Sequence, residues 1–94
     1  MIDWLIGQFK GTVLFFRANS VYRSGNFERA AAMYREVLQY QPARAVAHFN
    51  LGLALYKSGE RRSARTEWEL ALELSDGTNA YLHEQAKIML RQFS

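Results

Sequence analysis

The stretch NLGLALYKSGERRSARTEWELALELSDG, residues 50–77, contains the features that decide the fold. Apolar residues recur at helical spacing on both sides of Gly59, and a glycine at such a place ends a helix in a sharp turn. Gly52 instead lies within the helical pattern, where glycine costs about 1 kcal/mol relative to alanine. We therefore expect Gly52 to serve close packing between helices.

The same pattern occurs once more, 34 residues earlier in the chain. Residues 18–42 align with residues 52–76 without a gap, so that Ala18 matches Gly52, Tyr22 matches Tyr56, Gly25 matches Gly59, Ala30 matches Ala64 and Tyr34 matches Trp68. A third, partial copy places Ala86 at the position of Gly52 and has room for a first helix only. Internal repeats at this period are typical of stacked helical hairpins.

Each full copy predicts two helices. The spacing predicts helices over residues 27–40, 44–57 and 61–74, with Pro42 ending the first of these and Asp76-Gly77 ending the last. Asn79 or Thr78 suits the N-cap of a final helix. No segment shows the period-two alternation of a strand.

These residues resemble the tetratricopeptide repeat, a helix–turn–helix unit of about 34 residues. The resemblance implies an all-α fold: a right-handed superhelix of antiparallel hairpins with about five helices. It divides a single domain, 1–94, into an N-terminal extension (1–10), two repeats (11–44 and 45–78) and a capping helix (79–94). It also explains Gly52, which we expect to face the second helix of its unit against Ala64 and Ala71, as Ala18 and Ala86 do in the other units.

The residues for enzyme chemistry are missing. The chain has no cysteine and two histidines, His48 and His83, too far apart to share a metal site on one helix. Arg65 precedes Glu69 by one helical turn, which indicates an ion-paired surface. We predict no enzyme, metal or cofactor. The net charge of +3 is too small to indicate a nucleic-acid partner. The absence of cysteine suits a cytoplasmic protein.

The resemblance further implies that the first helix of each unit lines a concave groove. The residues assigned to this groove are Phe15, Asn19, Tyr22, Arg23, Phe49, Asn50, Leu53, Tyr56, Lys57, His83, Lys87, Leu90 and Arg91. They are apolar, aromatic and basic, without an acidic member. This composition predicts a partner protein presenting an apolar, partly acidic peptide or an amphipathic helix. Packing between neighbouring helices is the alternative role for Tyr22, Phe49 and Tyr56.

An apolar stripe runs along the N-terminal helix expected over residues 2–22. It comprises Ile2, Leu5, Ile6, Phe9, Val13 and Phe16, and we call it the apolar face. No signal peptide or membrane span is predicted, because Asp3, Gln8 and Lys10 interrupt the apolar run. Four resolutions are open: the chain turns back at Gly7 or Gly11, a second copy covers the face, another partner does, or it lies on a membrane surface.

The leading function hypothesis is therefore a non-enzymatic interaction or scaffold module with a peptide-binding groove. The alternative is a structural assembly subunit that self-associates, or docks on a membrane, through the apolar face.

Overall fold

The computed structural model describes residues 2–93, and five helices form most of that range. They are α1 (Ile2–Arg23), α2 (Phe27–Tyr40), α3 (Ala45–Lys57), α4 (Arg61–Leu74) and α5 (Ala80–Phe93). α1 pairs with α2 and α3 with α4, while α2 also packs on α3 and α4 on α5. Five helices and no strand within residues 2–93 confirm the predicted all-α hairpin fold.

Both hairpins turn at a glycine in the left-handed backbone region. The φ angles are 92° at Gly25 and 95° at Gly59, values that an L side chain rarely adopts. After α3, the Glu60 amide donates to the Leu55 carbonyl (2.8 Å) and the Gly59 amide to the Tyr56 carbonyl (3.1 Å). This pair of bonds is the Schellman motif, so the turn read from the sequence is confirmed.

A side chain caps the last helix at its N-terminus. The Asn79 Oδ1 accepts a hydrogen bond from the Leu82 amide at 3.0 Å, the geometry of an N-cap residue. The structure thus selects Asn79 over Thr78. Asn26 caps α2 in the same way, with its Oδ1 accepting from the Arg29 amide at 3.3 Å.

The core combines alanines with two large aromatic residues at equivalent repeat positions. Trp68 is 0% exposed and Tyr34 is 1% exposed. The expectation that Gly52 packs on α4 is correct, and the nearest side chain there is the Trp68 indole, which the sequence did not indicate. A Cβ on Gly52 would lie 2.5 Å from Trp68 Cδ1 and still closer to Nε1. Gly52 therefore makes room for a large side chain.

α1 continues unbroken through Gly7 and Gly11, so the chain does not turn back to cover the apolar face. Instead, the end of α2 lies close against α1 at these glycines. Gln41 Nε2 donates to the Gln8 carbonyl (3.0 Å) and to Thr12 Oγ1 (3.1 Å). A Cβ on Gly11 would lie 2.8 Å from the Gln41 side chain. Residues 2–10 thus extend the first helix.

His48 joins α3 to α4 and to the loop before α3. Its Nδ1 lies 2.7 Å from Glu67 Oε1, and its Nε2 lies 2.9 Å from the Pro42 carbonyl oxygen. The hydrogen bond with Glu67 raises the pKa of His48, burial lowers it in part, and the Pro42 carbonyl raises it further. The imidazole thus has a structural role.

This pair predicts a pH-dependent stability. Because the folded pKa of His48 is raised, its stabilising effect is complete below the unfolded pKa, about 6.5, and is lost as pH rises through the folded pKa. We expect His48→Gln to cost on the order of 1 kcal/mol of unfolding free energy in acid solution and less in alkaline solution. Urea titrations across this range measure the difference. The pH dependence should disappear in Glu67→Gln; its persistence there would contradict the assignment.

Candidate functional site

A pocket opens between α1 and α3, where the first helices of the two hairpins lie side by side. Its volume is about 260 Å³, and it is lined by Asn19, Tyr22, Arg23, Tyr34, Asn50 and Leu53. Five of these residues are among those assigned to the groove from the sequence, and the structure brings them together. The sixth, Tyr34, was aligned with Trp68 in the repeat and not assigned to the groove.

A hydrogen-bonded polar group forms the floor of this pocket. The Tyr34 hydroxyl donates to Asn19 Oδ1, and Asn50 Nδ2 donates to the same oxygen at 3.1 Å. Burial raises the pKa of Tyr34 to about 12, so the hydroxyl stays a neutral donor. Within residues 2–93, Asn19 Nδ2 and Asn50 Oδ1 take part in no hydrogen bond. The pocket therefore offers one amide donor and one amide acceptor.

Two cations stand beside the pocket. Arg23 lines it directly, and Lys57 Nζ lies 5.9 Å from the centroid of the Phe27 ring. That ring contacts Tyr22, with 5.2 Å between centroids, and so connects Lys57 with the pocket wall. Neither cation forms an ion pair within the part of the chain that the structure describes. This end of the groove is consequently basic and partly aromatic.

Phe15 does not belong to the accessible groove. It is 6% exposed, its ring centroid lies 6.1 Å from that of Tyr34, and the Arg44 guanidinium carbon lies 3.9 Å from its ring centroid. The interpretation of Phe15 as a surface anchor is wrong because Arg44 and the core enclose it. Burial lowers the pKa of Arg44. Phe49 is partly buried and also packs on the core.

Tyr56 belongs to a different surface. Its ring centroid lies 4.9 Å from that of Phe93 and 5.9 Å from that of Trp68. It lines a second pocket of about 370 Å³ together with Arg61, Arg62, Arg65, Gln92 and Phe93. The sequence pattern placed Tyr56 beside Leu53, but the aromatic contacts turn its ring toward α5.

The groove residues of α5 differ from expectation as well. His83 Nδ1 lies 3.2 Å from the Leu72 carbonyl oxygen and 3.3 Å from Ser75 Oγ, so its ring ties α5 to the end of α4. Leu90 is partly buried against the core. Glu84 lies 3.9 Å from Lys87 Nζ and 4.0 Å from Arg91 Nη2. The single carboxylate offsets one of these two positive charges, whereas Arg23 and Lys57 have no ion-pair partner among the described residues.

Within residues 2–93, no three His, Cys, Asp or Glu side chains converge to hold a metal ion. None of the five helices in this range combines the length and apolar character that membrane crossing requires.

Arg65 Nε lies 3.6 Å from Glu69 Oε2, which confirms the ion pair expected on the surface of α4.

Comparison with known proteins gives one family match. A model described as the tetratricopeptide repeat matches residues 17–79, which is more than half of the chain. A comparison with curated proteins gives no match. The matched range includes the whole pocket between α1 and α3 and ends before α5 begins.

Proposed function

Because the chain belongs to the tetratricopeptide repeat family, whose repeats generally mediate protein–protein interaction, we propose that its pocket between α1 and α3 holds a segment of a partner protein. The proposed module is non-catalytic and cytoplasmic and carries no cofactor or metal. Its binding residues are Asn19, Tyr22, Arg23, Tyr34, Asn50 and Leu53, with Lys57 beside them.

The single observation that carries this proposal is that Asn19 and Asn50 both line the pocket and, among the described residues, use only Asn19 Oδ1 and Asn50 Nδ2 in hydrogen bonds. The remaining amide donor and acceptor are open to the pocket, and together they match the hydrogen-bonding groups of a peptide backbone. Asn50 Oδ1 would accept from a backbone N–H of the ligand, and Asn19 Nδ2 would donate to a backbone carbonyl. The hydrogen bonds that Tyr34 and Asn50 donate to Asn19 Oδ1 hold both asparagine side chains in place.

The chemical character of the partner follows from the pocket walls. Tyr22 and Leu53 supply apolar contact, and burial raises the pKa of Tyr22, which keeps its hydroxyl neutral. Arg23 and Lys57 lack a carboxylate partner within residues 2–93, so they favour an acidic side chain on the ligand. The proposed ligand is an apolar segment bearing at least one carboxylate.

A peptide array tests this proposal. We expect the full chain to select peptides combining aliphatic residues with Asp or Glu over matched peptides in which those acids are Lys. Arg23→Glu should weaken binding of a selected, fluorescein-labelled peptide about 10- to 100-fold, because it removes a charge-assisted contact and adds a repulsion. Lys57→Glu should act in the same direction. Fluorescence anisotropy measures both changes.

The matched control is Arg35→Glu, the same charge reversal at an exposed arginine on α2 outside the pocket. It should change the affinity little, since it does not contact the ligand. Equal losses for Arg23→Glu and Arg35→Glu would show that binding follows net charge, and selection of basic peptides would contradict the proposal outright.

A second candidate function concerns the apolar face of α1. Ile2, Leu5, Ile6, Phe9 and Phe16 are all between 47% and 70% exposed. This exposure favours an assembly role in which the chain self-associates or docks on a membrane surface through α1. Such a role is compatible with the groove function, because none of the residues of the apolar face lines the pocket between α1 and α3.

A further inference from the structure

The apolar face of α1 carries five of the seven exposed large apolar side chains among the described residues. Phe9 is 70% exposed, Ile2 is 69% and Phe16 is 61%. Val13 is partly buried, beside a cavity of about 250 Å³ that also has Lys10, Arg17 and Tyr40 in its wall. Soluble monomers rarely leave so many large apolar side chains in one exposed row.

The apolar face is nearly symmetric about Phe9. Ile2 and Phe16 lie seven residues to either side of it, and Leu5 and Val13 lie four residues to either side. If two α1 helices pack antiparallel with Phe9 at the two-fold axis, Ile2 of each copy meets Phe16 of the other. Leu5 then meets Val13, and the two Phe9 rings meet each other. The face is therefore complementary to itself in this one orientation.

The charges beside the face favour the same orientation. Asp3, Lys10 and Arg17 recur every seven residues, so they lie on one edge of α1, next to the apolar face. None of the three forms an ion pair within residues 2–93. A two-fold axis perpendicular to both helices places their two charged edges on the same side of the contact, and these edges run in opposite directions. Asp3 of each copy then lies near Arg17 of the other, which gives two ion pairs across the contact.

A parallel pair lacks this complementarity. A two-fold along the helices would put the charged edges on opposite sides of the contact, and Asp3 would meet no cation there. A membrane surface would leave Asp3 beside the headgroups together with Lys10 and Arg17. Of these arrangements only the antiparallel one pairs the apolar residues and also Asp3 with Arg17, and its one like-charge contact is between the exposed Lys10 side chains of the two copies near the axis.

We infer that the occupant of the apolar face is a second copy of this chain, packed through α1 in an antiparallel, isologous dimer with Phe9 at the two-fold axis. The inference rests on the self-association proposed above and names its partner and geometry. An isologous contact uses the same face on both copies, so the assembly closes at two.

Sedimentation of the full chain over a dilution series tests whether the dimer exists. We expect twice the chain mass of 10.9 kDa at micromolar concentration. Phe9→Glu should raise the dimer dissociation constant by about 100-fold or more, because it buries two like charges at the axis. The matched control is Tyr81→Glu, at an aromatic residue that is 75% exposed on α5. It should leave the dimer intact, and circular dichroism should show both variants folded.

Single cysteines distinguish the orientation, because the sequence contains no cysteine of its own. With a short bis-maleimide, Phe9→Cys should cross-link to itself. Ile2→Cys should cross-link to Phe16→Cys in a mixture but not to itself, since the two Ile2 positions lie about 20 Å apart along an antiparallel pair. Asp3→Arg should weaken the dimer, and adding Arg17→Asp should restore it.

These experiments can contradict the existence of the dimer and its antiparallel geometry separately. A wild-type chain that stays monomeric at about 100 μM, well above the dissociation constants of stable dimers, overturns both the dimer and the self-association on which it rests. A dimer that Phe9→Glu dissociates but in which Ile2→Cys cross-links to itself overturns only the antiparallel geometry. Binding of a monomer to vesicles of anionic phospholipid, lost in Phe9→Glu, would assign the face to a membrane instead.

Discussion

Replacing Trp68 by alanine is expected to lower the free energy of unfolding by about 3–5 kcal/mol, the range found for large aromatic residues in packed cores. Trp68 is 0% exposed, and its ring lies between Gly52 of α3 and the aromatic rings of Tyr56 and Phe93. It therefore joins α3, α4 and α5 at one point. A domain of this size has about 5–14 kcal/mol of stability in total, so the variant should be close to unfolding under ordinary conditions.

Urea denaturation followed by circular dichroism, at one fixed protein concentration, measures this loss. Trp68→Phe is the matched control, because it keeps an aromatic ring in the same place. The Trp68 Nε1 is buried without a hydrogen-bond partner among the described residues, so phenylalanine gives up no hydrogen bond. We expect Trp68→Phe to lose less than half as much stability as Trp68→Ala. Similar losses for both would show that packing of the ring is not the main contribution.

Gly52→Ala is expected to destabilise the protein, although alanine is the better helix former. The substitution gains about 1 kcal/mol in helix propensity, but its Cβ would lie 2.5 Å from Trp68 Cδ1 and closer still to Nε1. Because the indole is rigid and enclosed, α3 or α4 must move to admit the methyl group. Overpacking of this kind costs about 1–3 kcal/mol and should outweigh the propensity gain.

The sign of this effect should reverse when Trp68 is absent. In the Trp68→Ala background the methyl group meets no indole, so Gly52→Ala should raise the free energy of unfolding by up to about 1 kcal/mol. Gly7→Ala is a second control: it is also a helical glycine, but a Cβ there would lie at an ordinary contact distance, 3.5 Å, from Tyr40 Cδ1. It should stabilise the wild-type chain. Destabilisation by Gly52→Ala in both backgrounds would contradict the packing explanation.

The helices themselves follow from local signals along the chain. The bounds expected for the second and fourth helices, 27–40 and 61–74, agree with α2 and α4. Gly59, Pro42 and Asn79 act through backbone conformation and capping, which depend on a few neighbouring residues and so can be recognised in the sequence. The period of 34 residues then identifies the pairing of helices, because equivalent positions must pack in equivalent ways.

The pocket between α1 and α3 could be assigned only in part from the sequence. Five of its lining residues follow from the sequence, because they occupy equivalent faces of α1 and α3. They are Asn19, Tyr22, Arg23, Asn50 and Leu53. Tyr34 was missed, although a signal was available: the equivalent residue, Trp68, has no hydroxyl, and a tyrosine at a core position needs a hydrogen-bond acceptor nearby. Phe15 and Tyr56 were misplaced because the directions of their rings depend on Arg44 and Phe93, which lie far from them in the sequence.

The sequence by itself determined the class of protein: the repeat, its helices and turns, and the need for a residue without a side chain at Gly52. These features arise from short-range backbone preferences and from the 34-residue repeat, which can be recognised in the sequence itself. Only the tertiary structure decided what fills the space at Gly52 and whether α1 turns back over its apolar face. It also decided which cations have an ion-pair partner among the described residues. Those outcomes depend on contacts between side chains distant in sequence, where a single large ring or carboxylate changes which surface remains open.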